Sequence, residues 1–452
     1  MRFLSAKVRH SRHKRNARRR RGDEARPACL FRFLIIGLFF CLSSALSHAD
    51  AAVWYLNDTS TAGDSFTSAV GDSTNSGLAP DSPKRSLDNI ESLIGAGDTV
   101  FLDSGIFQTL DTFTFAAGGV FLIGVDSVSS IVEFPDTTLA GARAIYASGL
   151  SGLVIRDIRV RRGHTGIWFR NVDSSVIERV HADTNEQNGF FLTNGSDSNR
   201  ISNALITRSG GAGLYFNNAS NNLVAGNRLS ANSGPGMHII SSSNDTFTDN
   251  AVEFTSGYGI YLLSSSNNAL TSNLCSNNVS FGYYLLSADN NRVTTCTAAN
   301  NGSNGFYLLS SSSDTLVSNS STGNAGIGYL LSGAHYHLLD SNLAASNTQQ
   351  GFFLTLSDNN LFFRNTASNN VSQAFNLASS KSNRFQSNTA DSNGSWGFLL
   401  SGTSDADTFF KNNWIPSTTA AYRESGVLNN TARRYDFTRN WWRTGDSGMI
   451  RS

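Results

Sequence analysis

A glycine followed by three mostly apolar residues recurs along most of the chain, and its spacing constrains the fold more than any other feature. The motif reads Gly166-Ile-Trp-Phe, Gly189-Phe-Phe-Leu, Gly213-Leu-Tyr-Phe, Gly236-Met-His-Ile, Gly259-Ile-Tyr-Leu and Gly282-Tyr-Tyr-Leu. It continues as Gly305-Phe-Tyr-Leu, Gly328-Tyr-Leu-Leu, Gly351-Phe-Phe-Leu, Ala374-Phe-Asn-Leu and Gly397-Phe-Leu-Leu. Of the ten intervals between these anchors, nine are 23 residues and one is 24. Other columns keep the same step. One reads Asn203, Asn227, Asn250, Asn273, Cys296, Asn319, Asn342, Asn365 and Asn388. A second runs from Asn232 through Thr255, Asn278 and Asn301 to Asn393, a third from Asn222 through Asp245, Asn268, Asp314 and His337 to Asn383. An apolar column runs from Val224 through Phe247, Leu270 and Leu316 to Phe385.

Each repeat holds short alternating runs, too short for helices and separated by Asn, Ser and Gly. Asn and Gly tolerate positive φ and suit tight corners, and stacked asparagines can hydrogen-bond from coil to coil. One repeat cannot bury its own apolar face; stacking makes the core continuous. The spacing therefore predicts an all-β fold, a single-stranded right-handed parallel β-helix with about 23-residue coils. At about 4.8 Å per coil, eleven to fourteen coils give a rod of roughly 50–65 Å. A sandwich would space its strands irregularly, and a leucine-rich repeat would show its own Leu and Asn spacing.

The pattern divides the chain into residues 1–51, a signal peptide; 52–105, an N-terminal cap and first strand; 106–411, the β-helix; and 412–452, a C-terminal capping segment. The signal reading rests on a basic stretch ending at Arg21, the apolar run Leu30–Leu46, and the small-x-small sites Ser47-His48-Ala49 and Ala49-Asp50-Ala51. It implies a secreted, periplasmic or cell-surface protein with no transmembrane segment after signal removal. The first 51 residues carry 12 basic and 3 acidic side chains; the remainder carries 23 and 31, a net charge of −8. That balance disfavours nucleic acid as a partner. Residues 82–95 are expected to form an amphipathic cap helix, with Pro83 at its start and Leu87, Ile90 and Ile94 on one face. Val100 is expected to begin the first strand, and Trp414, Trp441 and Trp442 to cover the last coil. Cys275 and Cys296 lie on adjacent coils two positions out of register, about 8 Å apart by strand geometry, too far for a disulfide; two buried thiols are expected.

Side chains alternate across a strand, so the first and third residues after each anchor glycine should point inward and the middle one outward. The outward column reads Trp168, Phe191, Tyr215, His238, Tyr261, Tyr284, Tyr307, Leu330 and Phe353. Its aromatic members, Trp168 to Tyr307, are the candidate carbohydrate-binding residues, because aromatic faces suit the C–H patches of sugars. The competing reading is in-register stacking that stabilises the sheet. A second candidate is a charge cluster on the early coils: Arg156, Asp157, Arg159, Arg161, Arg162 and His164, then Arg170, Glu178, Arg179, His181 and Asp183. Abstraction of a sugar C5 proton needs a base and a cation for the developing enolate; Arg161, Arg162, His164, Glu178, His181 and Asp183 are the candidate catalytic residues. The competing reading is a solvated row of ion pairs. Asn57, Asp58, Asp64 and Asp72 sit in a polar loop that could hold Ca²⁺, at spacings that match no defined loop. His335 and His337 are too few for zinc or copper, and no Met or Cys cluster supports copper.

The Gly-[Ile/Phe/Tyr]-Tyr-Leu-x-x-Ser-x-x-Asn-Asn coil resembles the repeats of the NosD-like and pectate-lyase-like superfamily of parallel β-helices. The segment from Val53-Trp-Tyr-Leu-Asn-Asp to Gly97-Asp-Thr-Val-Phe-Leu-Asp-Ser-Gly105 is similar to the start of such helices. Asp436-Phe-Thr-Arg-Asn-Trp-Trp-Arg is similar to their closing segment, with Arg443 where Gly is usual. The resemblance covers nearly all of residues 53–445. It implies the fold firmly and the activity weakly, since the superfamily holds polysaccharide lyases, epimerases, accessory proteins and surface proteins. Two functions follow as expectations. One is a monomeric exported protein that binds, and in the enzyme case cleaves or epimerises, a polysaccharide or cell-surface glycan. The other is a non-catalytic surface or matrix rod.

Overall fold

In a computed structural model of the protein, strands stack coil on coil into three parallel sheets. The structure describes residues 51–109, 111–134, 143–415 and 425–442; the signal segment lies outside these residues. The first sheet has 15 strands and begins with Val53–Leu56, the second has 14 and begins with Phe113–Phe115, and the third has 15 and begins with Gly105–Gln108. Every strand pairs in parallel with its equivalents one coil away, as in Phe190↔Leu214 and Leu214↔Met237. The result is a right-handed β-solenoid of about 13 turns.

The alternation rule holds. Phe190 and Leu192, Tyr283 and Leu285, and Phe352 and Leu354 are buried, while Phe191, Tyr261 and Tyr307 between such pairs are partly exposed. Inside, Tyr283, Phe306, Tyr329, Phe352, Phe375 and Phe398 stack in one pile, with neighbouring centroids 4.6–5.0 Å apart. Cys275 and Cys296 are both free and buried.

The polar columns are also internal. In the ladder from Asn227, the Oδ1 of each Asn accepts the backbone N–H and the side-chain amide of the coil before, as Asn250 does from Asn227 at 3.0 and 2.9 Å, except around Cys296, which offers Asn319 only its N–H. Each amide also donates to a backbone carbonyl 26 residues earlier, as Asn250 does to Val224 at 2.9 Å. Unpaired buried amides are costly, and these contacts satisfy both the ladder amides and the backbone N–H groups they bridge. One expected member is displaced. Asn203 is an exposed corner residue with φ 54°, and Ala204 occupies the column, giving its N–H to Asn227 Oδ1. The extra residue of the 24-residue interval lies between Thr193 and Arg200, since Ile167↔Phe190 steps by 23 and Val176↔Arg200 by 24.

The anchor glycines are not the left-handed corners. A Cβ on Gly259 would sit 2.5 Å from the Gly282 carbonyl oxygen and 2.8 Å from the Cys275 side chain, so close approach of coils requires the glycine. The corners with positive φ are mostly Asn and Ser, such as Asn277, Asn300, Ser346 and Asn369, residues that tolerate this region.

The first strand is Val53–Leu56, a coil ahead of the expected start, and it pairs with Thr99–Leu102. In place of a regular cap helix over 82–95 stands a 3₁₀ turn, Leu87–Asn89, followed by one α-type turn closed by Ile94 N–H to the Ile90 carbonyl at 3.1 Å. Ser86 makes no side-chain cap bond there. Leu87, Ile90 and Ile94 are nevertheless buried in the core. At the other end Trp414 is buried but Trp441 is half exposed. The cover comes instead from Phe437, 4.5 Å from Phe409, and from Tyr435.

Candidate functional site

The outward residues of the second sheet form an unbroken pile of rings. Strand register places Tyr146, Trp168, Phe191, Tyr215, His238, Tyr261, Tyr284 and Tyr307 over one another. From Phe191 to Tyr307 each ring stacks on the next at 4.7–5.1 Å and 8–14°. Trp168 lies 5.1 Å from Phe191, and Tyr146 meets Trp168 edge-on at 5.6 Å. Tyr258 and Phe281 flank the pile, packing against Tyr261, Tyr284 and Tyr307. The ring faces therefore cover one another, and solvent meets edges and phenol hydroxyls. Burial holds the Tyr215 and Tyr261 phenols above their usual range and pushes Tyr284 up to about 12. Burial also lowers His238, whose Nε2 has no partner, so a neutral imidazole stacks in the pile.

Tyr146 lies beyond the residues singled out from the sequence. Ala144-Ile-Tyr-Ala repeats the anchor pattern with Ala for Gly, one 22-residue step before Gly166, and that was the available signal.

The charged candidates divide between two sheets. On the outer face of the third sheet, Glu133, Arg161 and Asp183 stand in successive coils. Arg161 and Arg162 both reach Glu133, at 2.9 and 3.0 Å. Asp183 is buried and paired with Arg159 and with Arg208 at 2.6 Å, and Thr207 Oγ1 donates to it at 2.9 Å. Burial opposes the Asp183 charge, but the hydrogen bonds from Arg159, Arg208 and Thr207 outweigh it and hold the pKa low. His181 contacts Thr207 at 3.0 Å, and burial with nearby Arg159 lowers its pKa. Glu178 belongs to the first sheet, where it pairs with Arg179 at 2.8 Å, and Arg179 also binds Asp157 at 2.6 Å. His164 sits in the turn between Arg159–Arg161 and Thr165–Arg170, with no side-chain partner among the described residues. The six candidates thus do not converge, and Arg161, Arg162, Glu178 and Asp183 already have opposite charges beside them. Glu133, Thr207 and Arg208 complete the network and were not foreseen; Glu133 lies 28 residues before Arg161, outside the cluster as it appears in sequence.

In the polar loop, Asp103 accepts N–H bonds from Ser65, Phe66 and Thr67, and Asp72 and Asp58 accept from Thr74 and Ser60. Asp64 accepts from Asn57 at 2.6 Å.

The family model described as right handed beta helix region matches residues 109–244 and 194–343. That described as periplasmic copper-binding protein (NosD) matches residues 276–440. No curated protein matches the chain. Among solved structures, the mannuronan C-5 epimerase A-module of Azotobacter vinelandii is 14% identical with a TM-score of 0.48, covering 76% of this chain and 90% of that one. The Dettilon tailspike protein is 14% identical with a TM-score of 0.49, over 76% and 64%. A GH87 α-1,3-glucanase of Streptomyces thermodiastaticus is 13% identical with a TM-score of 0.41, over 87% and 70%.

Copper sites use clustered imidazole, thiolate or thioether donors. Among the described residues no three His, Cys, Asp or Glu side chains converge. His337 spends both ring nitrogens in an internal ladder, Nδ1 on the Asp314 N–H at 3.0 Å and Nε2 on the Ser311 carbonyl at 3.1 Å. Cys275 and Cys296 are sealed in the core, where burial raises both thiols. The described residues do not fit a copper centre. What the family match over residues 109–343 and the stacked parallel sheets establish together is membership: the chain belongs to the right-handed parallel β-helix repeat proteins of the NosD-like and pectate-lyase-like superfamily.

Proposed function

We propose that this protein is exported and binds an extracellular polysaccharide along the outer face of its second sheet, with the glycan parallel to the rod axis. The observation that carries the reading is the continuous, mostly half-exposed ring column from Tyr146 to Tyr307 beside a second outward row, Ile240, Leu263, Leu286 and Leu309. Contiguous apolar surface of this kind marks interaction sites. Because the ring faces are taken, the column meets its ligand with C–H edges and phenol hydroxyls, repeated once per coil. A polymer with its own repeating hydroxyls and C–H patches matches that periodicity; a compact ligand does not. The paired state of Arg161, Arg162 and Asp183 supports binding over turnover, since their charges are already engaged. Export rests on the basic and apolar segment before Ala51.

The same stacking favours a second reading, a non-catalytic surface or matrix rod, because stacked pairs hold coils together by up to about 1 kcal/mol each whether or not a glycan binds. An oligosaccharide array followed by affinity electrophoresis separates the two. The variant Tyr261→Leu/Tyr284→Leu keeps an apolar side chain of the kind Leu330 already places in the column. It is expected to lose about tenfold or more in affinity while still melting cooperatively, at a temperature lowered by the lost stacking. A wild-type protein that binds no glycan leaves only the structural rod.

A further inference from the structure

Most arginines of the N-terminal coils are paired with carboxylates; Arg200 on the first sheet donates instead to Ser202 Oγ at 3.3 Å. Arg156, Arg159, Arg161, Arg162, Arg179 and Arg208 each stand beside Glu133, Asp157, Glu178 or Asp183. On the second sheet, Arg143 and Arg170 have no carboxylate partner among the described residues. Both lie where the outer ring column ends, since Thr114 occupies the position one coil before Tyr146. The Arg143 guanidinium carbon is 3.8 Å from the Trp168 ring centroid and 5.0 Å from that of Tyr146. Arg170 lies two residues beyond Trp168 on the same strand, opposite Ser148, which in turn lies two beyond Tyr146, and the charges of both arginines favour ionisation of the Tyr146 phenol. The Arg143 Nε is buried and has no hydrogen-bond partner. Trp168, which carries Arg143, is itself fixed by its indole N–H to Thr193 Oγ1 at 3.2 Å.

A guanidinium offers five N–H donors, and buried donors in folded proteins are ordinarily satisfied. A cation held over aromatic faces with its donors free is preorganised for an anion. We propose that Arg143 and Arg170 form an anion subsite at the head of the ring column, and that the polysaccharide bound there carries carboxylate or sulfate groups. This rests on the polysaccharide reading above and narrows it to acidic glycans. The planar fork of Arg matches two oxygens of a carboxylate or sulfate at once, and the next sugars of the chain run on over Trp168, Phe191 and Tyr215.

The test titrates the protein lacking its first 51 residues with a uronic-acid hexasaccharide, its carboxyl-reduced neutral twin, and an O-sulfated form of that twin. Binding is read by calorimetry and by Trp168 fluorescence against a Trp168→Phe reference. One or both anionic forms are expected to bind about tenfold or more tightly than the neutral twin, and the advantage shrinks with added salt. Arg143→Gln and Arg170→Gln abolish the advantage; Arg143→Lys, which keeps the charge but not the fork, serves if the Gln variant melts early. Arg364→Gln, whose native guanidinium is bound to Asp340 on the first sheet, retains it. Equal affinity for all three forms overturns the anion subsite and leaves the polysaccharide reading standing. A preference that survives both Gln variants overturns the placement at Arg143 and Arg170. Absence of binding by every form overturns both readings.

Discussion

At position 245 a buried ladder carries aspartate where adjacent coils carry asparagine, and the substitution has a pH signature. Asn268 and Asn291 give their side-chain amides to the Ser242 and Ser265 carbonyls, 26 residues back. Asp245 accepts the Asn222 N–H at 2.8 Å on Oδ1, but its Oδ2 has no partner. Only a protonated carboxyl can donate as the amides do. Burial, with Asp197 nearby, pushes Asp245 up to about 7, and burial does the same at Asp407, with Asp358 and Asp405 nearby. Asp314 is also raised by burial, and burial lowers the adjacent His337 to about 4, so the imidazole is neutral near pH 7 and their 3.6 Å contact is not an ion pair. A carboxyl raised from 3.8 in the unfolded chain contributes stability that is complete below 3.8 and is lost as pH rises through about 7. His337, depressed from 6.5, contributes stability present above 6.5 and lost as pH falls through about 4. The carboxyls of Asp245 and Asp407 should therefore lower the urea midpoint of the wild-type progressively from about pH 4 to about pH 7, with no further loss from them above that. The advantage of Asp245→Asn over the wild-type should be larger by on the order of 2 kcal/mol at pH 8 than at pH 3.5; equal advantages at both values would show that the Asp245 pKa is not raised by folding.

Within a single element the ladder from Asn227 has one weak rung. At Cys296 the thiol replaces an amide, and Asn273 reaches its sulfur only at 3.8 Å, against 2.9 Å for the amide contact from Asn250 to Asn273. The backbone around it is unchanged: Cys296 N–H still donates to Asn319 Oδ1 at 2.8 Å. Cys296→Asn should restore the amide hydrogen bonds and raise stability by about 1 kcal/mol, measured as a shift in urea midpoint at constant slope. A loss would mean that the Tyr283 hydroxyl, seated at 2.7 Å on the Asn273 carbonyl beside both cysteines, leaves no room for the amide. The ladder was legible in the sequence wherever the step stayed at 23. It was misread at Asn203, where a corner lengthened by one residue shifts the register and an Asn suits the corner as well as the column. Ring stacking was legible as a column, but not its consequence. Alternation says which side chain points outward; whether an outward ring shows its face or its edge depends on χ angles that stacking with the next coil decides.

On the scale of the whole molecule, what sequence spacing conveys is neighbour relations along the rod. It says less about relations around it. The charge cluster looked like one patch because its members are close in sequence, yet a corner lies between Glu178 and Asp183 and puts them on different sheets. Glu133, the partner of Arg161 and Arg162, sits a coil away and so appeared unrelated. The same one-dimensional logic makes the rod tolerant of length change only in whole coils. Each coil contacts its two neighbours, and every central column, inside and out, steps by 23, as Tyr261↔Tyr284 and Cys275↔Ala298 do. Removing residues 283–305 joins Gly282 to Phe306 and so preserves the anchor motif, the Asn ladders, the inner pile and the outer column. That variant should fold cooperatively, as a rod shorter by about 4.8 Å, with a melting temperature close to that of the full-length chain. Removing residues 283–304 instead leaves one residue too many. A one-residue slip turns inward side chains outward over the adjoining strand, so this variant should lose its cooperative melt or bulge the extra residue at a considerable cost in stability. Circular dichroism melts of the pair, with scattering to read rod length, decide the matter. Similar behaviour of the two would mean that stability comes from each coil alone and not from the vertical register of its side chains.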